Sequence, residues 1–273
     1  MRRLVLVVGN GAVSEADLPR RLFQVGCPSQ RVGLDQVGAW AHQHPGPVLL
    51  SDPAGCRALR LGRATNLLPL VQMQPGEAPA GLRVEPDAAV RDAAPAALRH
   101  AIEQALAAHA ERLAGGALAD LRLSLPSDPD QLEAMNSLLE PWFASCGLTH
   151  HQVCQLSLAL REIGANAIEW GHHHDPSRLV QVHGRLDADK VTVLVRDSGP
   201  GFDPRDLPHA ARPGDPTGHL AVREERNLRE GGFGILLAKG LVDQLCYSHS
   251  GNEALLVKHL PGQEAPPAHA FAP

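Results

Sequence analysis

The residues that could do chemistry lie in the stretch Leu156-Ser-Leu-Ala-Leu-Arg-Glu162-Ile-Gly-Ala-Asn166-Ala-Ile-Glu-Trp170-Gly171. Glu162, Asn166 and Trp170 are spaced four residues apart, which stacks them along one face of a helix. A carboxylate and a carboxamide one turn apart can hold a metal ion and a water or hydroxyl side by side. Two glycine-rich segments follow, Asp197-Ser-Gly199-Pro-Gly201-Phe202 and Gly231-Gly232-Phe233-Gly234. The first pairs a carboxylate with glycines that let backbone approach a ligand. The second precedes an apolar run, so free N–H groups at a helix start would face a phosphate. It is no P-loop, because no Gly-Lys-Ser/Thr follows. Each feature has a plainer reading: a solvated helix face for Glu162, a surface turn for Asp197 to Phe202. Asn166 is harder to explain away, since Asn is a poor helix-interior residue.

These residues need elements to position them. Val153, Leu156, Leu160, Ile163 and Ala167 recur at helical spacing and give the key helix a buried face, with Thr149 as its cap. Leu118–Leu125 reads as a strand and Leu132–Phe143 as an amphipathic helix. Leu179–Gly184 and Val191–Arg196 read as a hairpin turned at Asp187-Ala-Asp189. A helix over Ile235–Leu245 and a strand over Glu253–Leu260 complete the second half, with a Pro/Ala-rich disordered tail over 261–273. Upstream, the apolar runs Leu4–Val8, Val48–Asp52 and Leu67–Val71 read as buried parallel strands. Helical segments lie around Glu15–Val25 and over Ala94–Leu113, the signature of a small α/β domain. Ala114-Gly-Gly-Ala117 is the expected boundary. The domains expected are therefore 1–114, 118–260 and the tail.

Glu162, Asn166, the Asp197 turn and the Gly231 turn, in that order, resemble the Bergerat-type ATP-binding fold of histidine kinases, gyrase-like ATPases and bacterial anti-sigma factor kinases. The anti-sigma factor serine/threonine kinases are the nearest resemblance. It implies an α+β chain whose C-terminal part is a two-layer α/β sandwich. It also implies ATP and Mg2+, with Asn166 as the metal ligand and Glu162 as general base towards a protein hydroxyl or water. Asp197 would accept from the adenine amine, with Gly199, Gly201 and Phe202 beside it, and Gly231, Gly232, Phe233 and Gly234 would cradle phosphate. Residues 203–230 would form a lid, whose Arg223, Arg226 and Arg229 could touch phosphates or a partner; a mixed-charge helix face explains them equally well. Lys239 reads as a surface charge. Where relatives often carry His-Gly after the Asn helix, this chain has Trp170-Gly171.

The implied activity is phosphorylation of an anti-anti-sigma (STAS-like) protein, with a sigma factor as a second partner and a homodimer as a candidate assembly. The alternative is a nucleotide-gated binding module, or a weak ATPase, without kinase turnover. Residues 1–114 resemble a flavodoxin-like response-regulator receiver domain that has lost its chemistry: Gly9-Asn10 stands where receivers carry an acidic pair. Asp52, at the phosphoacceptor position, has no acidic Mg2+ site around it.

Composition narrows the classes further. The chain has 273 residues, 44% hydrophobic and 20% charged, with a formal charge of -5. That balance argues against a nucleic-acid partner. Five dispersed cysteines, Cys27, Cys56, Cys146, Cys154 and Cys246, read as reduced thiols. No apolar run suits a signal peptide or a membrane span, so the expected location is cytoplasmic. The fifteen histidines include His150-His151 and His172-His-His174, without zinc-ligand spacing, and the latter read as a solvated loop. His100 lacks the acidic neighbour and helical hairpin of a sensor histidine kinase.

Overall fold

The computed structural model describes residues 4–8, 17–43, 47–73, 80–203, 217 and 232–263. The Gly9-Asn10-Gly11 turn, Glu15, Arg223, Arg226, Arg229, Gly231 and residues 264–273 lie outside the described residues. So does the expected lid, save Asp203 and Thr217. The chain divides into two compact units, Met1–Arg122 and Leu123–Pro273.

In the first unit, strands β1 (Val5–Val8), β2 (Ser29–Val32), β3 (Val48–Ser51), β4 (Leu70–Met73) and β6 (Ala88–Val90) form a sheet ordered β2-β1-β3-β4-β6. A two-residue strand β5 (Arg83–Val84) precedes β6. Each neighbouring pair in the sheet is parallel, and the order is the flavodoxin-like one. Strand residues alternate between two buried faces. Val5, Val7, Val48 and Leu50 meet Leu18 and Leu22 of α1 (Leu18–Gln24) and Leu98, Ala101 and Ile102 of α4 (Pro95–Ala114). Leu6, Val8 and Leu49 meet Val37 of α2 (Val37–Gln43) and Cys56 and Leu59 of α3 (Pro53–Leu61). Burial on both faces is why these strands read as unbroken apolar runs.

Asp52 caps α3, its Oδ1 accepting the Gly55 N–H at 2.7 Å. Ser51 is fully buried and donates to the Val8 carbonyl at 2.9 Å. The expected Leu67–Val71 strand instead begins at Leu70, because the Leu67 carbonyl is drawn off to accept from Arg112 Nη2 at 3.1 Å. Around it lies a buried charge cluster: Asp87 pairs with both Arg60 and Arg112, and all three side chains are at most 4% exposed. Asp87 also accepts the Leu70 N–H at 2.8 Å.

Strand β7 (Ala119–Pro126) enters the second unit at Leu123, where the strands run in the order β10-β11-β9-β8-β7, with β8 spanning Leu179–Leu186, β9 Lys190–Arg196, β10 Gln244–Tyr247 and β11 Glu253–His259. The β8/β9, β9/β11 and β10/β11 pairs are antiparallel. Val180, Val182 and Leu186 of β8 and Val191, Val193 and Val195 of β9 point inward on alternate positions. Helices α5 (Pro129–Ser145), α6 (His150–Asn166) and α7 (Gly234–Leu241) supply the second layer. Alpha and beta are thus layered here as an α/β sandwich. α6 begins at a capping box in which Gln152 N–H donates to Thr149 Oγ1 at 3.3 Å and Thr149 N–H donates to Gln152 Oε1 at 3.0 Å. The expected buried face of α6, Val153, Leu156, Leu160, Ile163 and Ala167, is buried.

The helix expected over Ile235–Leu245 ends at Leu241. Val242 turns extended, and Leu245 pairs across to Leu256 in β10/β11. The apolar positions fit a helical period, but sheet pairing with β11 decides their conformation.

Candidate functional site

α6 does not end as an α-helix. After Asn166 the chain takes one turn of π-helix over Ala167–Gly171, closed by His172 N–H donating to Ala167 O at 3.0 Å. Such turns place an extra residue per turn and recur at functional sites. Here Glu162, Ala165, Asn166, Glu169, Trp170 and Gly171 all line one cavity of about 460 Å3, within the usual size of a small-molecule site. Neither the Glu162 carboxylate nor the Asn166 carboxamide is engaged by another described side chain, and both groups are half-buried.

Across the cavity stands Asp197, at the end of β9. Its N–H donates to the Asn252 carbonyl at 3.0 Å. Its Oδ1 accepts the Gly199 N–H at 2.7 Å, and Oδ2 accepts nothing from the described residues. Burial pushes the Asp197 carboxyl above its ordinary range, with the Gly199 N–H, His172 and Arg178 opposing. Gly171 makes room for it: a β-carbon at Gly171 would lie 2.6 Å from the Asp197 carboxyl carbon. Gly201 has a φ of +71°, and a β-carbon there would lie 1.8 Å from the Ser250 carbonyl oxygen. Phe202 N–H donates to that same carbonyl at 3.1 Å. The Phe202 ring meets Tyr247 edge-on, centroids 5.1 Å apart. Gly201, Phe202 and Tyr247 line the cavity, as do Gly232, Phe233 and Gly234 at the start of α7.

The pieces that are remote in sequence therefore share one cavity, and the same stretch of chain matches a known family. Residues 125–258 match the model of the histidine kinase-like ATPase domain. The C-terminal unit carries a histidine kinase-like ATPase domain. The chain is also similar to "Serine-protein kinase RsbW" of Bacillus subtilis (strain 168), 25% identical over 144 residues, covering 52% of this chain and 87% of that protein. RsbW of Bacillus velezensis matches to the same extent. RsbW of Staphylococcus aureus (strain MSSA476) is 21% identical over 142 residues, covering 51% of this chain and 86% of its own.

The charges of the ATPase domain's cavity suit a cation-bridged polyanion. Glu162, Glu169, Asp197 and Glu253 line it, and no Lys or Arg is among the described lining residues. A triphosphate entering such a site needs countercharge, and the Asn166 amide oxygen beside the Glu162 carboxylate is a hard donor set that fits Mg2+. Among the described residues no group of three or more His, Cys, Asp or Glu side chains is arranged to hold a metal by itself.

Of the residues singled out from sequence, Glu162, Asn166, Asp197, Gly201, Phe202, Gly232, Phe233 and Gly234 all line the cavity. Gly199 lies just behind, bonded to Asp197, and Gly231 is outside the described residues. Lys239 is exposed. Sequence reasoning missed Tyr247, Asn252 and Glu253, and also His172. The reading of His172–His174 as a solvated loop is corrected at His172, which is 1% exposed. His173 and His174 are exposed and take positive φ, 53° and 58°. The signal available was position: His172 directly follows the functional helix.

Proposed function

We propose that the C-terminal ATPase domain is a serine/threonine protein kinase of the anti-sigma factor type, using ATP with Mg2+. The observation that supports it is the meeting of Glu162, Asn166 and Asp197 in one cavity. In this reading Asp197 Oδ2 accepts from the adenine amine, Asn166 holds the metal, and Gly232 to Gly234, with Gly231, cradle phosphate. Bound Mg2+ would neutralise phosphate charge, the main demand of phosphoryl transfer. Glu162 takes the proton from the partner's serine or threonine hydroxyl. The hydroxyl oxygen then bonds to the γ-phosphorus, and ADP leaves with the bridging oxygen.

The protein substrate in this reading is an anti-anti-sigma (STAS-like) protein, with a sigma factor as a competing partner. Residues 1–114 act in this reading as a receiver-like regulatory or interaction module; with Asp52 occupied as a helix cap the module acts without phosphoryl transfer to that residue. No described helix is long and apolar enough to cross a membrane, and a cytoplasmic site of action fits this reading.

The test is transfer from γ-labelled ATP to candidate STAS-like proteins, with Glu162→Gln and Asp197→Ala run alongside. Label on a partner with the wild type alone supports the kinase. ATP bound tightly by the wild type with no label transferred, and none released, assigns a nucleotide-gated binding module instead.

A further inference from the structure

His172 is buried at the end of the π turn and uses both ring nitrogens. The Ser198 backbone N–H donates to Nε2 at 2.8 Å, with Ser198 Oγ 3.0 Å from the same nitrogen. A backbone amide can only donate, so Nε2 carries no proton and the hydrogen sits on Nδ1. Nδ1 therefore donates to Ser127 Oγ. The Ser127 hydroxyl passes its own hydrogen to the Arg178 carbonyl at 3.1 Å. Arg178 closes the ring of contacts, its Nη2 donating to the Ser198 carbonyl at 2.6 Å and its Nη1 to the Gly171 carbonyl at 3.3 Å. One neutral imidazole thus joins the segment ahead of α5, the π turn, and the loop that carries Asp197.

We propose that neutral His172 is a positioning residue that holds the Asp197 loop in its nucleotide-reading geometry, and that protonating it frees the loop and weakens nucleotide binding. The inference rests on the reading of Asp197 as the adenine contact. An imidazolium has two donors and no acceptor, so it cannot receive the Ser198 N–H. The charged groups facing the ring are Asp197 from the loop after β9 and Asp175 and Arg178 from the turn before β8. From the α5 side it meets the neutral Ser127 hydroxyl, while the nearby Asp128 carboxylate is engaged by the Asp130 N–H at 2.7 Å. Burial and Arg178 favour the neutral ring, Asp197 and Asp175 the charged one, and burial is the largest influence, so the ring titrates below 6.5.

The test is the ATP–Mg2+ dissociation constant from pH 8 to pH 5 for the wild type, His172→Gln and His172→Phe. A glutamine amide oxygen can accept the Ser198 N–H and does not titrate, so His172→Gln also shows how far ATP's own titration bends the curve. The wild type should lose about tenfold more affinity than His172→Gln across the acid step, the loss expected of one hydrogen bond. His172→Phe should be weaker by about tenfold already at neutral pH. Wild-type affinity and pH profile in both variants would overturn the proposal. If the wild type binds no nucleotide at all, the reading of Asp197 fails, and the positioning role is then decided on the unliganded wild type. Hydrogen exchange of the Ser198 amide should accelerate beyond its intrinsic pH dependence as His172 gains its proton. Exchange that follows the intrinsic curve alone would overturn the proposal without any variant.

Discussion

Gly234 stands so close to Glu162 that a β-carbon on it would lie 2.6 Å from Oε2. The first residue of α7 and the carboxylate of α6 therefore occupy adjoining space on one cavity wall. A side chain at 234 would compete for space with the end of the Glu162 side chain. Gly234→Ala is expected to push the Glu162 side chain from its place and to lower phosphoryl transfer at least tenfold, about the value of one displaced polar contact. Steady-state transfer rates on a folded variant check this, and unchanged rates would remove Gly234 from the site.

Glu162→Gln keeps the shape of the side chain and removes its basicity. Transfer should fall by about 100- to 10,000-fold, the usual contribution of a general base. ATP affinity should stay within about threefold, since the adenine and phosphate contacts lie elsewhere. Calorimetry alongside single-turnover labelling separates the two, and full transfer by the variant would end the assignment of Glu162 as base.

Asp197 lies on the other wall, and its ionisation opposes folding. Its folded-state pKa is raised above 3.8, mainly by burial, so the native state holds a proton more tightly than the unfolded chain does. The ionised group therefore lowers stability at pH values above the folded pKa, and that penalty is relieved as pH falls through it. Asp197→Asn should leave the melting temperature equal or higher at neutral pH while nucleotide affinity drops at least tenfold. A clear fall in melting temperature would show that the carboxylate is structural.

Gly171→Ala places a methyl 2.6 Å from the Asp197 carboxyl carbon. Crowding of this kind destabilises by about 1–3 kcal/mol, and here it also turns the carboxylate away from the cavity. Denaturant unfolding and nucleotide titration of one preparation should both register the change.

In the first unit, Asp87→Asn removes the carboxylate that pairs with both buried arginines, Arg60 and Arg112. Loss of one partner from such a cluster costs about 3–5 kcal/mol. Amide exchange in β4 and α4 should accelerate accordingly, and protection equal to the wild type would show that the Asp87 charge does not hold the cluster together.

Much of the site was legible because it is built from periodicity and glycine. The four-residue spacing of Glu162 and Asn166, the buried stripe from Val153 to Ala167, the turn at Asp197 and the glycines Gly232 and Gly234 at the start of α7 each have a local physical cause. What escaped depends on distant partners. β10 was hidden in an apolar run that also suits a helix, and its pairing with β11 decides the matter. β2 and β6 are short, one of them polar (Ser-Gln-Arg-Val) and the other Ala-Ala-Val, so neither carries a strong strand pattern. The Asp87 cluster joins three segments tens of residues apart. Burial of His172 depends on Ser127 and Ser198, which lie 45 positions before it and 26 after it.

The π turn at Ala167–Gly171 also bears on how the chain tolerates change in length. A wide turn holds one residue more than an α-helical path over the same rise, which is what a single-residue insertion leaves behind in a helix. Removing one residue between Ala167 and Gly171 would let the helix close regularly and rotate everything beyond it by about 100°. Trp170 and Gly171 would leave the cavity wall, whereas Glu162 and Asn166, on the preceding turns, would stay. Such a deletion would therefore reach the Asp197 side of the cavity through Gly171, which abuts the Asp197 carboxyl, while Glu162 and Asn166 keep their places on α6.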